Sequence, residues 1–176
     1  MYRNGILGIL VAATMALLPH GTVAQQKSMK DQLVGAWTVL LDDRINADGT
    51  QQPLYGPNPI GTLLVSPTGR YSVQIMRSTN RAPFASRNLS NGTPEENKAA
   101  IQGIVTHFGT YTVDEADKSL TFRIEGSSFP NLEGVKQKWQ IDSLADDTLT
   151  IKLPAATSTN PAGGFVAVEV IWRRVK

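Results

Sequence analysis

His107 and Glu125 are the side chains whose types suit proton transfer in this chain. An imidazole titrates near neutrality, and Glu125 is the one obvious acid–base partner for it. The surrounding inventory is narrow. Among 176 residues there are two histidines and no cysteine, which removes thiolate nucleophiles, thiolate metal sites and disulfides. Carboxylates alone hold calcium only from a spaced acidic loop, and no such loop is present. A Gly-x-Ser-x-Gly elbow and phosphate-cradling glycine loops are absent too. No metal or cofactor is therefore expected, and any catalysis must use Tyr, Arg, Glu, Asp and one histidine, His107, since His20 falls in the N-terminal segment read below as a cleaved signal. His107 also has a structural reading, as a cation at a helix C-terminus.

Other residues suit ligand orientation. In Val135, Gln137, Trp139 and Ile141 the alternation puts one amide among apolar side chains, with Lys136, Lys138, Gln140 and Asp142 on the opposite face. Gln137 beside Trp139 is the pattern of an apolar wall with one placed polar group, or of a buried amide satisfied by a neighbour. Tyr71 and Tyr111 sit on similar alternating runs, and each offers a broad ring with one hydroxyl. From Gly49 to Pro94 there is no acidic residue, while Arg70, Arg77, Arg81 and Arg87 all fall there. Placed at a cavity mouth, such arginines would favour a carboxylate or phosphate head; placed on a loop, they are solvated charge.

The elements that must position these groups are strands. Runs at Leu33–Asp42, Ile60–Ser66, Arg70–Met76, Phe108–Val113, Ser119–Glu125, Val135–Asp142, Thr148–Leu153 and Phe165–Val175 alternate and are separated by turn signals such as Pro67-Thr68-Gly69. On the first, Gly35, Trp37, Val39 and Leu41 share a face. The exception is Thr93–His107. Thr93 can cap, Pro94 suits the first helical position and Glu96 completes a capping box, while Ile101, Ile104, Val105 and Phe108 recur at helical spacing. The fold class is thus all-β: eight antiparallel strands closed into a barrel, with one amphipathic helix inserted between the third and fourth strands. An eight-stranded barrel is either filled by side chains or holds one small ligand.

Residues 1–24 read as a cleaved secretory signal, with Arg3, an apolar stretch Ile6–Leu18, and Thr22-Val23-Ala24 before the cleavage point. The stretch is shorter than the roughly 20 apolar residues that span a bilayer, so no stable membrane anchor is expected. Residues 25–176 form a single domain, and export without disulfides suits a periplasmic or secreted location. A formal net charge of +2 is weak ground for a nucleic-acid partner, and no basic stripe with stacking aromatics supports one.

Several stretches carry a resemblance. The Gly-x-Trp of Gly35-Ala36-Trp37 on the first strand and an arginine in Trp172-Arg173-Arg174 on the last resemble the lipocalins. Gly56-Pro57-Asn58-Pro59-Ile60-Gly61, Gly69-Arg70-Tyr71, Gly92-Thr93-Pro94-Glu95-Glu96, His107-Phe108-Gly109-Thr110-Tyr111 and Phe129-Pro130-Asn131 make the chain similar to the lipocalin-like domain family of small bacterial and fungal proteins. Leu132 departs from that pattern, standing where a larger aromatic is expected in the pocket wall. The resemblance implies a lipocalin-type barrel but no single activity. The leading expectation is an exported protein that holds a mainly apolar ligand with a polar or acidic head, with Tyr71, Arg77, Tyr111, Gln137 and Trp139 as the contacts. Two alternatives stand beside it. One is a cofactor-independent isomerase, cyclase or hydrolase using His107 and Glu125. The other is a structural envelope domain whose barrel is filled by Trp37, Tyr111, Phe122, Trp139 and Trp172.

Overall fold

The computed structural model describes residues 27–145, 147–155 and 165–176. The segment 1–24 and the loop after Ala155, up to Gly164, lie outside the described residues. The strands are β1 (Gly35–Asn46), β2 (Gln51–Pro53), β3 (Ile60–Val65), β4 (Arg70–Met76), β5 (Ile104–Asp114), β6 (Ser119–Ser127), β7 (Lys136–Ala145), β8 (Thr148–Pro154) and β9 (Phe165–Arg174). Each pairs antiparallel with its neighbour, and β1 also pairs with β9, so β1 and β3 to β9 close into an eight-stranded barrel. The short β2 is a ninth strand. It takes the edge of β1 beyond the reach of β3, with Asp43 opposite Pro53.

Among the described residues two α-helices accompany the barrel, α1 (Met29–Leu33) and α2 (Pro94–Gln102). The first was not foreseen. Ser28 caps it, its Oγ accepting from the Asp31 N–H at 3.0 Å, and it carries fully buried Leu33 onto one end of the barrel. The second begins as expected, with Thr93 and Glu96 in a reciprocal capping box and Pro94 in the first turn. It follows β4 and not a third strand, because β2 adds one strand ahead of it. It also ends at Gln102 instead of running to His107. Ile104, Val105 and Thr106 are β-branched and pair with β4, from Met76 opposite Ile104 onward, so sheet formation overrides the helical spacing. Ile101 and Phe108 are about half exposed and form no buried stripe. No helix of the described residues is long and apolar enough to cross a membrane.

The core is the barrel interior. Strand alternation sends Leu63, Val73, Phe122, Ile151 and Val170 inward, and the outward positions are mostly polar. Two irregularities reset that alternation. On β1 the register slips between Val39 and Leu41, so Leu40 is an extra residue and Asp42, not Leu41, takes the buried position opposite Val170. Between β5 and β6 the register slips at Gly109, where the strands press so close that a Cβ would meet the Arg123 carbonyl oxygen at 2.0 Å. Only glycine fits there.

The two ends of the barrel differ. Hairpins and α1 shut one end. There Trp37 is fully buried, its indole N–H donates to the Leu33 carbonyl at 2.9 Å, and the Arg174 guanidinium lies 4.1 Å over its ring. Arg174 also donates to the Val34 and Gln32 carbonyls, which ties α1 to the last strand. Of the arginines foreseen near the end of the last strand, the structure selects Arg174. At the other end the long connections 47–59, 77–103 and 128–135 surround a mouth.

Candidate functional site

A cavity of about 330 Å³ occupies the barrel between the closed end and the mouth. Most of its wall is apolar, from residues such as Leu63, Val73, Ile75, Phe122, Ile151 and Val170. Trp139 and Trp172 line it too, so the aromatics foreseen as a filled core divide between wall and end plug. Leu132 is buried in the wall near the mouth, on a short 3-10 turn (Pro130–Leu132), where a larger side chain would subtract volume.

Against this wall stand a few polar groups. Gln137 is buried on β7, as the alternation required, and lines the cavity. Arg77, just past the end of β4, lines the mouth beside Tyr55 and Gln102 and forms no ion pair among the described residues. The other arginines of the acid-free stretch go elsewhere. Arg70 forms an ion pair with Glu125, and Arg81 and Arg87 are exposed outside the cavity.

His107 lies in the middle of β5 and lines the cavity, so it caps no helix. Its Nδ1 is 2.9 Å from the Tyr71 hydroxyl, and both rings pack against Phe122, with Tyr71 and Phe122 centroids 4.1 Å apart. Burial drives the imidazole pKa down to about 4, which keeps it neutral at ordinary pH. Burial likewise pushes the Tyr71 phenol up, so that hydroxyl keeps its proton. Tyr71 has no other acceptor among the described residues. Its O–H therefore donates to Nδ1, and the imidazole proton sits on Nε2.

Glu125 is not brought to His107. It projects from the outer face of β6, where Arg70 Nη1 reaches both of its oxygens at 2.9 and 2.8 Å. The extra residue in the β5–β6 pairing falls at Glu125, between Gly126 and Ile124. Tyr111 is also absent from the cavity wall; its hydroxyl donates to the Ser66 carbonyl at 2.8 Å near the closed end. Thus Arg77, Gln137, Trp139 and His107 line one cavity, Tyr71 stands behind His107, and Tyr111 and Glu125 are elsewhere.

Sequence reasoning missed Asp42. It lies in the cavity wall with its Oδ1 shut from solvent and without a hydrogen-bond partner. Burial, with a smaller push from neighbouring Asp43, raises its pKa to about 7. Strict alternation of the first strand assigns Asp42 to the outer face; only the bulge at Leu40 turns it inward. Arg44, two residues on, also lines the cavity, with its Nε unpaired and its guanidinium 5.1 Å from the Phe165 ring. Tyr55 faces both Asp42 and Arg77; burial, then Asp42, raises its phenol pKa, and Arg77 opposes them. The signals available beforehand were the doubled acid Asp42-Asp43 inside a strand and the two leucines before it.

No group of described residues clusters three or more potential metal ligands. The arrangement is a sheltered apolar space with hydrogen-bond donors, one carboxyl and cationic groups at its mouth, which is how small-molecule sites are built. A search of curated proteins found no match to this chain. Residues 34–175 match the family model of the lipocalin-like domain, and the chain belongs to the lipocalin-like domain family, whose barrel fits small hydrophobic molecules in general.

Proposed function

We propose that this protein is an exported binder of a small, mainly apolar molecule that carries an acidic head, seated with its chain in the barrel and its head at Arg77. The observation that carries this reading is the 330 Å³ cavity with an apolar wall and an arginine at its mouth that lacks a carboxylate partner among the described residues. The energetics agree. Burying about 300 Å² of apolar ligand surface stabilises the complex by roughly 7 kcal/mol, against association costs of at least about 4 kcal/mol. Greasy burial alone therefore gives weak binding, and the polar groups decide which molecule is held. Arg44 adds positive potential on the same side. Export rests on the pattern of residues 1–24.

The test is calorimetric titration with decanoate and 1-decanol, which share a chain and differ in the head. Decanoate should bind more tightly by roughly tenfold or more, the difference that one charge-assisted contact supplies. Arg77→Gln should bring the two probes together while leaving the alcohol unchanged. Equal affinities in the unmodified protein would remove the acidic head, and no heat with either probe would remove the ligand-binding reading.

A further inference from the structure

In the ring β1-β3-β4-β5-β6-β7-β8-β9, β6 stands four strands from β1 in either direction, so the two are opposite walls. Asp42 projects from β1. On the wall of β6 and its neighbours, Phe122 is flanked by Gln137 of β7, its register partner, and by His107 of β5, the His107 and Phe122 ring centroids lying 6.0 Å apart, and all three line the same cavity as Asp42. A ligand filling this cavity therefore has a carboxyl on one side and two neutral donors, the Gln137 amide and the His107 Nε2–H, on the other. That is the layout for moving a proton next to a carbonyl: a base for the carbon and donors for the oxygen where charge develops.

We propose that the cavity catalyses proton transfer at a carbon adjacent to a ligand carbonyl, with Asp42 as the acid–base residue and Gln137 and His107 as donors to the carbonyl oxygen. The inference rests on the ligand-binding reading above and narrows it to enolisable carbonyl compounds. The Asp42 carboxylate takes the proton, and the C–H electron pair becomes the C=C bond of an enolate whose negative charge rests on oxygen between the two donors. Asp42 then returns the proton to the same carbon or, in a β,γ-unsaturated ligand, to the γ carbon, which shifts the double bond into conjugation. Nothing is oxidised or reduced, and the carboxyl ends in its starting state. Tyr71 is a positioning residue: its hydroxyl holds the imidazole tautomer.

Three features support Asp42 in this role. It is only 4% exposed, so water does not compete for the reacting proton. Its Oδ1 has no partner to give up on reaction. Its raised pKa of about 7 leaves a basic carboxylate available near neutrality, where a general base works best. The charged and titratable groups around it are Asp43 and Arg44 on β1, Tyr55 from the following loop and Arg77 after β4; β9 presents Val170 beside it and directs Glu169 to Lys152.

The probe is 4-oxodecanoate in deuterium oxide, with binding followed by calorimetry and deuterium uptake beside the ketone by mass spectrometry. Uptake at least tenfold above buffer is expected, rising with pH through about 7 as Asp42 ionises. Asp42→Asn should cut it at least tenfold while the probe still binds, and Tyr71→Phe should slow it without changing that pH midpoint. If Asp42→Asn fails to fold, the pH–rate profile of the unmodified protein decides: a flat profile from pH 5 to 9 overturns the proposal. Binding without uptake above buffer also overturns it and leaves the ligand-binding reading standing. Failure of 4-oxodecanoate to bind where decanoate binds overturns this inference alone, and failure of both to bind overturns the ligand-binding reading with it.

Discussion

The closed end and the mouth half of this barrel use the same residue types to opposite ends. At the closed end Trp37, Arg174 and Tyr111 each find a backbone carbonyl, and Arg174 covers the Trp37 ring. Around the cavity, Asp42, Arg44, Trp139 and Trp172 each carry a buried polar atom with no partner. Among the described residues only five side chains have such atoms; the fifth, Ser119, lies outside the cavity. Unpaired buried groups cost stability. Their concentration around one space teaches that the closed end sustains the fold while the cavity wall is shaped for what enters it.

Breaking the closed end should give the largest effect. Trp37→Ala removes a fully buried indole and should destabilise the protein by about 3–5 kcal/mol, read from urea unfolding. A loss below about 1 kcal/mol would show that the plug does not carry the fold.

The next effect is electrostatic and comes from the cavity. Asp42 keeps its proton to about pH 7 when folded but only to about 3.8 when unfolded, so over that window the native state binds more protons and rising pH destabilises it. His107 does the reverse. It loses its proton near pH 4 when folded and near 6.5 when unfolded, so between these values rising pH stabilises the native state. In the unmodified protein the two slopes oppose one another from pH 4 to 6.5. Each variant should expose the other group: His107→Gln should lose up to about 1.4 kcal/mol per pH unit as pH rises, and Asp42→Asn should gain about as much. Parallel stability curves for the two variants across this window would refute the opposition.

Gln137→Leu sharpens the contrast further. It replaces a buried amide with an apolar side chain of similar size, so stability should hold or rise by up to about 1 kcal/mol. Affinity for 4-oxodecanoate, whose ketone oxygen this amide is proposed to hold, should fall about fivefold at the same time, a trade expected where a polar group serves binding. Unchanged binding with unchanged stability would take Gln137 out of the site. The smallest effect belongs to Glu125→Gln. Its ion pair with Arg70 is exposed on the outer wall, so stability should change by less than about 1 kcal/mol, and deuterium uptake by the bound probe should not change. Loss of uptake in this variant would return Glu125 to the chemistry.

Much of this molecule was legible before folding was considered. Period-two alternation placed Gln137 and Trp139 inward on β7, because a pleated strand sends successive side chains to opposite faces. The Thr93-Pro94-Glu95-Glu96 stretch specified a helix start through local hydrogen bonds that need no distant partner. The Gly-x-Trp and the arginine on the last strand anticipated a contact that the structure assigns to Arg174. These readings succeed where the cause is local or strictly periodic.

Tertiary structure decided the rest. The end of α2 was set by pairing of Ile104–His107 with β4, an energy term that helical spacing does not contain. With that pairing His107 passed from a helix cap to the cavity wall, beside Tyr71 and Phe122. Glu125 went to the outer face, across the wall from its supposed partner. Asp42 entered the cavity because one extra residue at Leu40, absorbed by the closure of β1 on β9, reversed the phase of everything after it. A strand's pattern tells which residues share a face, but a bulge exists only between two strands, and so which face becomes the interior is written in the pairing and not in either strand alone.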